Sequence, residues 1–94
     1  MPYAIVRATV KDYAQWKKGF DETATLRKAH GSKGVRVFRS VEMPNELVIV
    51  GEYEDLQRAR QLFLSQEFRE ATQRGGVLGQ PDVVLVDEVH QLPA

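Results

Sequence analysis

The sequence contains no cysteine. That excludes a disulfide framework and any thiolate nucleophile or ligand. Histidine is scarce too, with only His30 and His90, far apart in the chain. With no cysteine to join them, they form no metal-ligand pattern, and no metal site is expected. Net charge is also missing, since 13 basic and 13 acidic residues cancel. A phosphate-backbone partner is recognised through clustered positive charge, so no nucleic-acid partner is expected. No apolar run approaches the roughly 20 residues that cross a bilayer. Met1–Arg7 lacks a basic region followed by a long apolar core, so it does not read as a signal peptide. The expectation is a cytoplasmic chain with no membrane partner. No Gly-rich phosphate loop is visible, because Gly75-Gly76 follows a helical pattern instead of opening one. No Ser-His-Asp arrangement can be argued from spacing.

What the sequence does have is a length of 94 residues, which predicts one domain spanning 1–94. So short a chain buries only roughly 60–65% of the surface that its unfolded form exposes. Its stability margin is thin, and association with a second copy is a common remedy.

Gly34–Tyr53 carries the strongest structural signal and reads as a β-hairpin. Two runs rich in Val, Ile, Phe and Tyr flank a turn at Met43-Pro44-Asn45-Glu46. The first arm mixes Val35, Val37 and Val41 with Arg36, Phe38, Arg39 and Ser40. The second contains Leu47-Val48-Ile49-Val50, an unbroken apolar run typical of a strand covered on both faces. Two registers fit. One sets Arg36 opposite Glu52 as an ion pair. A two-residue turn at Pro44-Asn45 sets Phe38 opposite Gly51. The first is preferred, because plain type I or II turns splay hairpin strands.

Around the hairpin, Tyr3–Val10 predicts a strand with Ala4, Val6, Ala8 and Val10 on one face. Asp12 reads as a helix N-cap, with Gln15 completing a capping box. Tyr13, Trp16, Phe20, Ala24 and Arg27 then form one stripe of a helix expected over Asp12–Ala29, with Gly31 past its end. Asp55 opens a second helix through Leu56, Ala59, Leu62 and Phe63. Ser65 caps a further short helix to Arg74, and Gly75-Gly76 ends it. Val77–Pro81 is expected to be a loop. Asp82–Gln91 is expected to be the last strand.

The order βαββαβ predicts an α+β, ferredoxin-like fold: a four-stranded antiparallel sheet with its helices on one face. The strands are nevertheless apolar on both sides. An uncovered sheet face would expose a large apolar patch. The expected remedy is a second copy packed sheet to sheet at roughly 10 Å, giving a symmetric homodimer.

In this element order the chain resembles the dimeric α+β barrel superfamily, and within it an uncharacterised bacterial branch of the antibiotic-biosynthesis-monooxygenase-like (ABM-like) proteins. The resemblance covers nearly the whole chain. It rests on Tyr13-x-x-Trp16-x-x-x-Phe20, Met43-Pro44-Asn45, Phe63-x-Ser65-x-x-Phe68 and Gly76-Val77-x-Gly79-x-Pro81. It implies a dimeric α+β barrel with a ligand cavity between helices and sheet. By resemblance, the activities to consider are a cofactor-independent monooxygenase or a polyketide-cyclase-like enzyme acting on a hydrophobic or aromatic small molecule, with no cofactor expected. The alternative is a non-catalytic dimer with a ligand-binding, regulatory or structural role, since no acid–base cluster stands out.

The candidate ligand-binding residues are Trp16, Phe20, Phe38, Arg39 and Phe63; the competing reading, favoured on periodicity and charge pairing, makes the aromatics core anchors and the arginine an ion-pair partner. Arg7 and Arg39 sit within strands, where a guanidinium needs a carboxylate partner or an anionic ligand. His90, placed on the last strand near Asp87 and Glu88, is the catalytic candidate, because an imidazole titrating near neutrality suits proton abstraction from a phenol. A sheet-edge surface histidine is the competing reading. His30 fits a helix C-terminus, where the dipole favours it.

Overall fold

The computed structural model describes residues 1–94. Four strands, β1 (Pro2–Val10), β2 (Ser32–Arg39), β3 (Glu46–Tyr53) and β4 (Val77–Asp87), form one sheet in the order β2-β3-β1-β4. Every neighbouring pair is antiparallel. Four helices, α1 (Tyr13–Glu22), α2 (Ala24–Ala29), α3 (Leu56–Leu64) and α4 (Gln66–Arg74), pack on one face. This is the expected α+β, ferredoxin-like arrangement, with each crossover built from two short helices. None of them is long and apolar enough to cross a membrane.

The alternation of β1 decides which face the helices cover. Ala4, Val6, Ala8 and Val10 are buried, while Arg7 and Thr9 are exposed. The register carries this face across the sheet through the pairs Ala4↔Gly51, Val6↔Ile49 and Ala8↔Leu47. Against it pack Trp16 from α1 and Ala59 and Leu62 from α3, all buried. The small side chains of β1 let the helices approach closely. Gly19 of α1 does the same for α4: a Cβ there would stand 3.5 Å from the Gly75 Cα. The other face carries Ile5, Val48, Val50, Val84 and Val86, with Phe38 and Leu78 beside them. On this face Phe38, Leu78 and Val84 are about half exposed. The second strand face suspected of needing cover is real and apolar.

Several local expectations are corrected. The hairpin takes neither proposed register. Arg36 pairs with Val50, Val35 with Gly51 and Phe38 with Val48. Pro44 and Asn45 do occupy the centre of a β-turn, closed by Glu46 N–H donating to Met43 O at 2.9 Å. That turn sits inside a wider loop, however. The Ser40 hydroxyl accepts from Met43 N–H at 3.1 Å, and Ser40 N–H donates to Glu46 O at 2.9 Å. The side-chain bond spends loop residues that a tight hairpin would have placed in the strands. Arg39 therefore lies on the helix face and Phe38 on the open one.

The helix expected over Asp12–Ala29 breaks at Thr23. Asp12 caps it as expected, accepting from Ala14 N–H at 3.2 Å. Gln15 does not close a capping box; its Nε2 donates to the Arg74 carbonyl at the end of α4. Val77–Pro81 is strand, not loop, since β1 is long enough to pair with it from Val10↔Val77 to Pro2↔Asp87. The two poor strand formers, Gly79 with φ of 69° and Pro81, fall where the register slips between Arg7↔Asp82 and Thr9↔Leu78. At such a bulge the missing N–H and the left-handed backbone cost no ladder bonds. Beyond Asp87, β1 offers no further partner, so the strand stops short of Gln91.

Candidate functional site

A cavity of about 80 Å³ lies between the helices and the covered sheet face. One water needs roughly 10–15 Å³ by such a measure, so the space holds several waters or one small ring system. Its floor is the centre of the sheet, with Ala4, Val6 and Ala8 from β1 and Ile49, Gly51 and Tyr53 from β3. Trp16 and Phe20 wall it from α1, Leu62 and Phe63 from α3, and Phe68 from α4. The aromatic rings form two connected groups. Trp16 stacks on Phe20 at 4.6 Å between centroids. Phe63 meets Phe68 edge-on at 5.0 Å and Tyr53 at 6.1 Å. Edge and offset contacts of this kind favour rigid packing of the rings.

The polar groups in this lining are few: Thr23, Arg27, Tyr53 and Thr72. No carboxylate or imidazole is among them. Tyr53 is only 3% exposed, and its ring leans back along β3 over Gly51. A Cβ at Gly51 would stand 3.0 Å from Tyr53 Cε1 and 3.6 Å from its hydroxyl. Burial pushes the Tyr53 phenol above its ordinary pKa, and the nearby Arg27 charge opposes part of that shift. Arg27 reaches back from α2. Its NH1 donates to Phe20 O at 2.8 Å and to Thr23 Oγ1 at 3.0 Å. Its guanidinium lies 3.7 Å over the Phe20 ring, a cation–π geometry. Desolvation lowers the Arg27 pKa, against the pull of Tyr53 and Asp21.

The residues singled out from the sequence separate into groups. Trp16, Phe20 and Phe63 line the cavity. Phe38 stands on the opposite face and does not wall it. Arg39 lies on the helix side but at its edge, its guanidinium 5.2 Å from the Tyr13 ring centroid. Arg7 is on the open face, paired with Glu46. His90 lies beyond β4, exposed in the tail and not among the residues that line the cavity. Its expected place on a strand is not where it is found. His30 sits at the end of α2, where its Nδ1 lies 3.0 Å from Leu26 O. Nowhere do three or more His, Asp or Glu side chains gather as metal ligands. Arg27 and Tyr53 are the polar groups that sequence reasoning did not bring together. The available signal was an arginine on an otherwise apolar helix stripe.

An apolar, partly open chamber with a guanidinium and a phenol in its lining can do a limited set of things. It can strip water from a flat ligand, hold it against aromatic rings, and stabilise negative charge that develops on an oxygen.

No protein-family model matches the chain, and no curated protein matches it in sequence. Solved structures do share its fold. A proposed antibiotic biosynthesis monooxygenase of Bordetella bronchiseptica superposes with a TM-score of 0.79 at 22% identity, over 95% of this chain and 97% of that one. SnoaB, a cofactor-independent oxygenase from Streptomyces nogalater, gives 0.78 at 18% identity, over 99% and 97%. Rv0793 from Mycobacterium tuberculosis gives 0.67 at 14% identity, over 97% and 98%. The chain thus has the fold of the antibiotic-biosynthesis-monooxygenase-like proteins along its whole length. At such identities the likeness speaks for the fold; function has to be argued from the site.

Proposed function

We propose that this single-domain chain works as a cytoplasmic homodimer whose cavity takes a hydrophobic, aromatic small molecule. We further propose that it acts on that molecule as a cofactor-independent monooxygenase or cyclase-like enzyme. The observation that carries the reading is the cavity itself. It is walled by Trp16, Phe20, Phe63 and Phe68 and holds only a few polar groups. A core built for stability alone would close such a space, because empty volume costs packing energy. The oxygenase reading draws support from the fold shared with SnoaB, described as a cofactor-independent oxygenase. The dimer reading rests on the open sheet face, where Ile5, Val48, Val50, Val84 and Val86 form an apolar surface with no cover in one copy.

The test is a thermal-shift screen of phenolic and quinone-like compounds, followed by oxygen uptake with each hit. Ligands that raise the melting midpoint and drive oxygen consumption without added metal or flavin support the enzyme. Compounds of this class that leave the midpoint unmoved refute it. A second reading, a non-catalytic binding protein, is favoured by one observation: no imidazole or carboxylate lines the cavity to serve as general base. Hits that stabilise the protein yet return chemically unchanged, with no oxygen consumed, would select it.

A further inference from the structure

We propose that Arg27 and Tyr53 together form a receptor for an ionised oxygen, so that the cavity selects aromatic anions over their neutral counterparts. This rests on the cavity being the ligand site. It adds the charge of the ligand, which neither the fold nor the apolar walls specify.

Two independent observations carry it. The first concerns Arg27. It takes part in none of the chain's four ion pairs. Asp21, whose charge it feels, is engaged by Lys17 at 2.6 Å. Both protein acceptors of the guanidinium, Phe20 O and Thr23 Oγ1, are met by the single nitrogen NH1. Nε and NH2 make no hydrogen bond with the protein. They remain donors on a half-buried cation that lines an apolar chamber, where a charge-assisted bond to an anion is stronger than the same bond made in water.

The second concerns Tyr53. At 3% exposure it is almost wholly buried, yet its hydroxyl has no hydrogen-bond partner. It is not sealed off either, since no fully enclosed side-chain polar atom lacks a partner. The hydroxyl therefore keeps some accessible surface, and Tyr53 lines the chamber with its ring over Gly51 of the floor. Buried tyrosine hydroxyls usually find a partner. Here the partner's place lies inside the cavity, near a cation that favours negative charge on the incoming atom.

A carboxylate and a phenolate both present the required chemistry, an anionic oxygen on a flat apolar body. The experiment separates them. Binding is measured by calorimetry for 2-naphthoate against 2-naphthamide, and for 4-nitrophenol against 4-nitroanisole. Trp16, the chain's one tryptophan, reports by fluorescence whether the ligand enters the cavity. The colour of 4-nitrophenol reports its ionisation.

At least one anion is expected to bind about ten- to a hundredfold more tightly than its neutral counterpart, the range of a charge-assisted hydrogen bond. Which pair shows the preference identifies the anion. Arg27→Met should erase the preference while leaving the neutral ligand within about threefold, which also certifies the fold of that variant. Tyr53→Phe, the milder change, should cost the anion about three- to tenfold and the neutral ligand little. Neutral ligands that quench Trp16 and bind as well as the anions would overturn the proposal and leave the aromatic cavity standing. So would a preference that survives Arg27→Met. Failure of all four ligands to bind would overturn both readings.

Discussion

Gly51→Ala tests how the floor of the cavity is built. Two effects of opposite sign meet at this position. Glycine inside a strand is weaker than alanine by roughly 0.5–1 kcal/mol, through the entropy that it loses on folding. Taken alone, the substitution should stabilise. But the new methyl would lie 3.0 Å from Tyr53 Cε1, well inside the ordinary carbon–carbon separation of roughly 3.5–4.0 Å. The obstacle is a ring held edge-on against Phe63, not the tip of a flexible chain. Overpacking of a fixed core group costs about 1–3 kcal/mol. The steric term wins at most values, for a net loss of up to about 2.5 kcal/mol. In a domain of this size a central loss of about 1 kcal/mol lowers the melting midpoint by roughly 4–8 °C. The check is a thermal and urea denaturation series on four proteins: the parent, Gly51→Ala, Tyr53→Leu, and the double variant. In the Tyr53→Leu background the ring is gone, so the alanine should be neutral or stabilising. The coupling between the two sites is expected at about 1–3 kcal/mol. A neutral or stabilising Gly51→Ala in the parent chain would refute the claim that Gly51 exists to seat Tyr53.

Three further outcomes follow from the same packing. Leu47→Ala, at a fully buried site beside Val6, Val10, Trp16 and Ile49, should cost about 2–5 kcal/mol in urea denaturation, against a total of roughly 5–14 kcal/mol for such a domain; a loss below 1 kcal/mol would contradict its place in the core. Because the Tyr53 phenol is raised above its ordinary value of about 10, its share of stability is intact below that pH and is lost as pH climbs toward the folded-state value. The parent should therefore lose stability more steeply than Tyr53→Phe in alkaline titrations, and parallel curves would refute the assignment. Val50→Asp places a carboxylate on the open sheet face, where one copy can solvate it but a sheet-to-sheet dimer cannot; light scattering should fall from twice the 10.7 kDa chain mass to the single mass with the circular dichroism unchanged, and a variant that stays dimeric would argue against that interface.

The elements with strong periodicity were legible in the sequence, and so was the apolar character of both faces of β3. Ala4, Val6, Ala8 and Val10 alternate as read, and Asp55 and Ser65 cap their helices through Gln57 N–H and Phe68 N–H. What escaped was set by partners distant in the chain. The extent of β4 depends on the length of β1, which tolerates Gly79 and Pro81 once a bulge absorbs them. The hairpin register depends on the Ser40 hydroxyl, a local bond that competes with the ladder. Phe38 and Arg39 exchange faces with a one-residue slip, because side chains alternate along a strand. The pairing of Arg36 with Glu52 lies two residues from the observed one and already sets Phe38 beside Val50 on the open face; only the tight turn at Pro44-Asn45 would have carried Phe38 to the cavity. His90 was placed on a strand for the related reason that the point where pairing ends cannot be read from one strand alone. Trp16, Phe20 and Phe63 were found because an aromatic stripe faces the layer between helix and sheet whether it fills a core or lines a cavity.

The break at Thr23 explains how a charge comes to rest in that layer without being neutralised. In an unbroken helix the Phe20 carbonyl would accept the N–H of Ala24, four residues on. Instead three donors converge on it: Thr23 N–H at 3.2 Å, Thr23 Oγ1 at 2.9 Å and Arg27 NH1 at 2.8 Å. The long Arg27 side chain runs back toward the start of its helix, the direction in which helical side chains lean, and lies across the Phe20 ring. A carbonyl and a hydroxyl satisfy hydrogen bonds but carry no formal charge. Arg7 shows the other arrangement, with Glu46 cancelling its charge outright. A carboxylate beside Arg27 would have neutralised it and closed the layer to an anion. The uncharged acceptors engage NH1 alone and leave the positive charge, on a residue that lines the same chamber as Tyr53, without a carboxylate to cancel it.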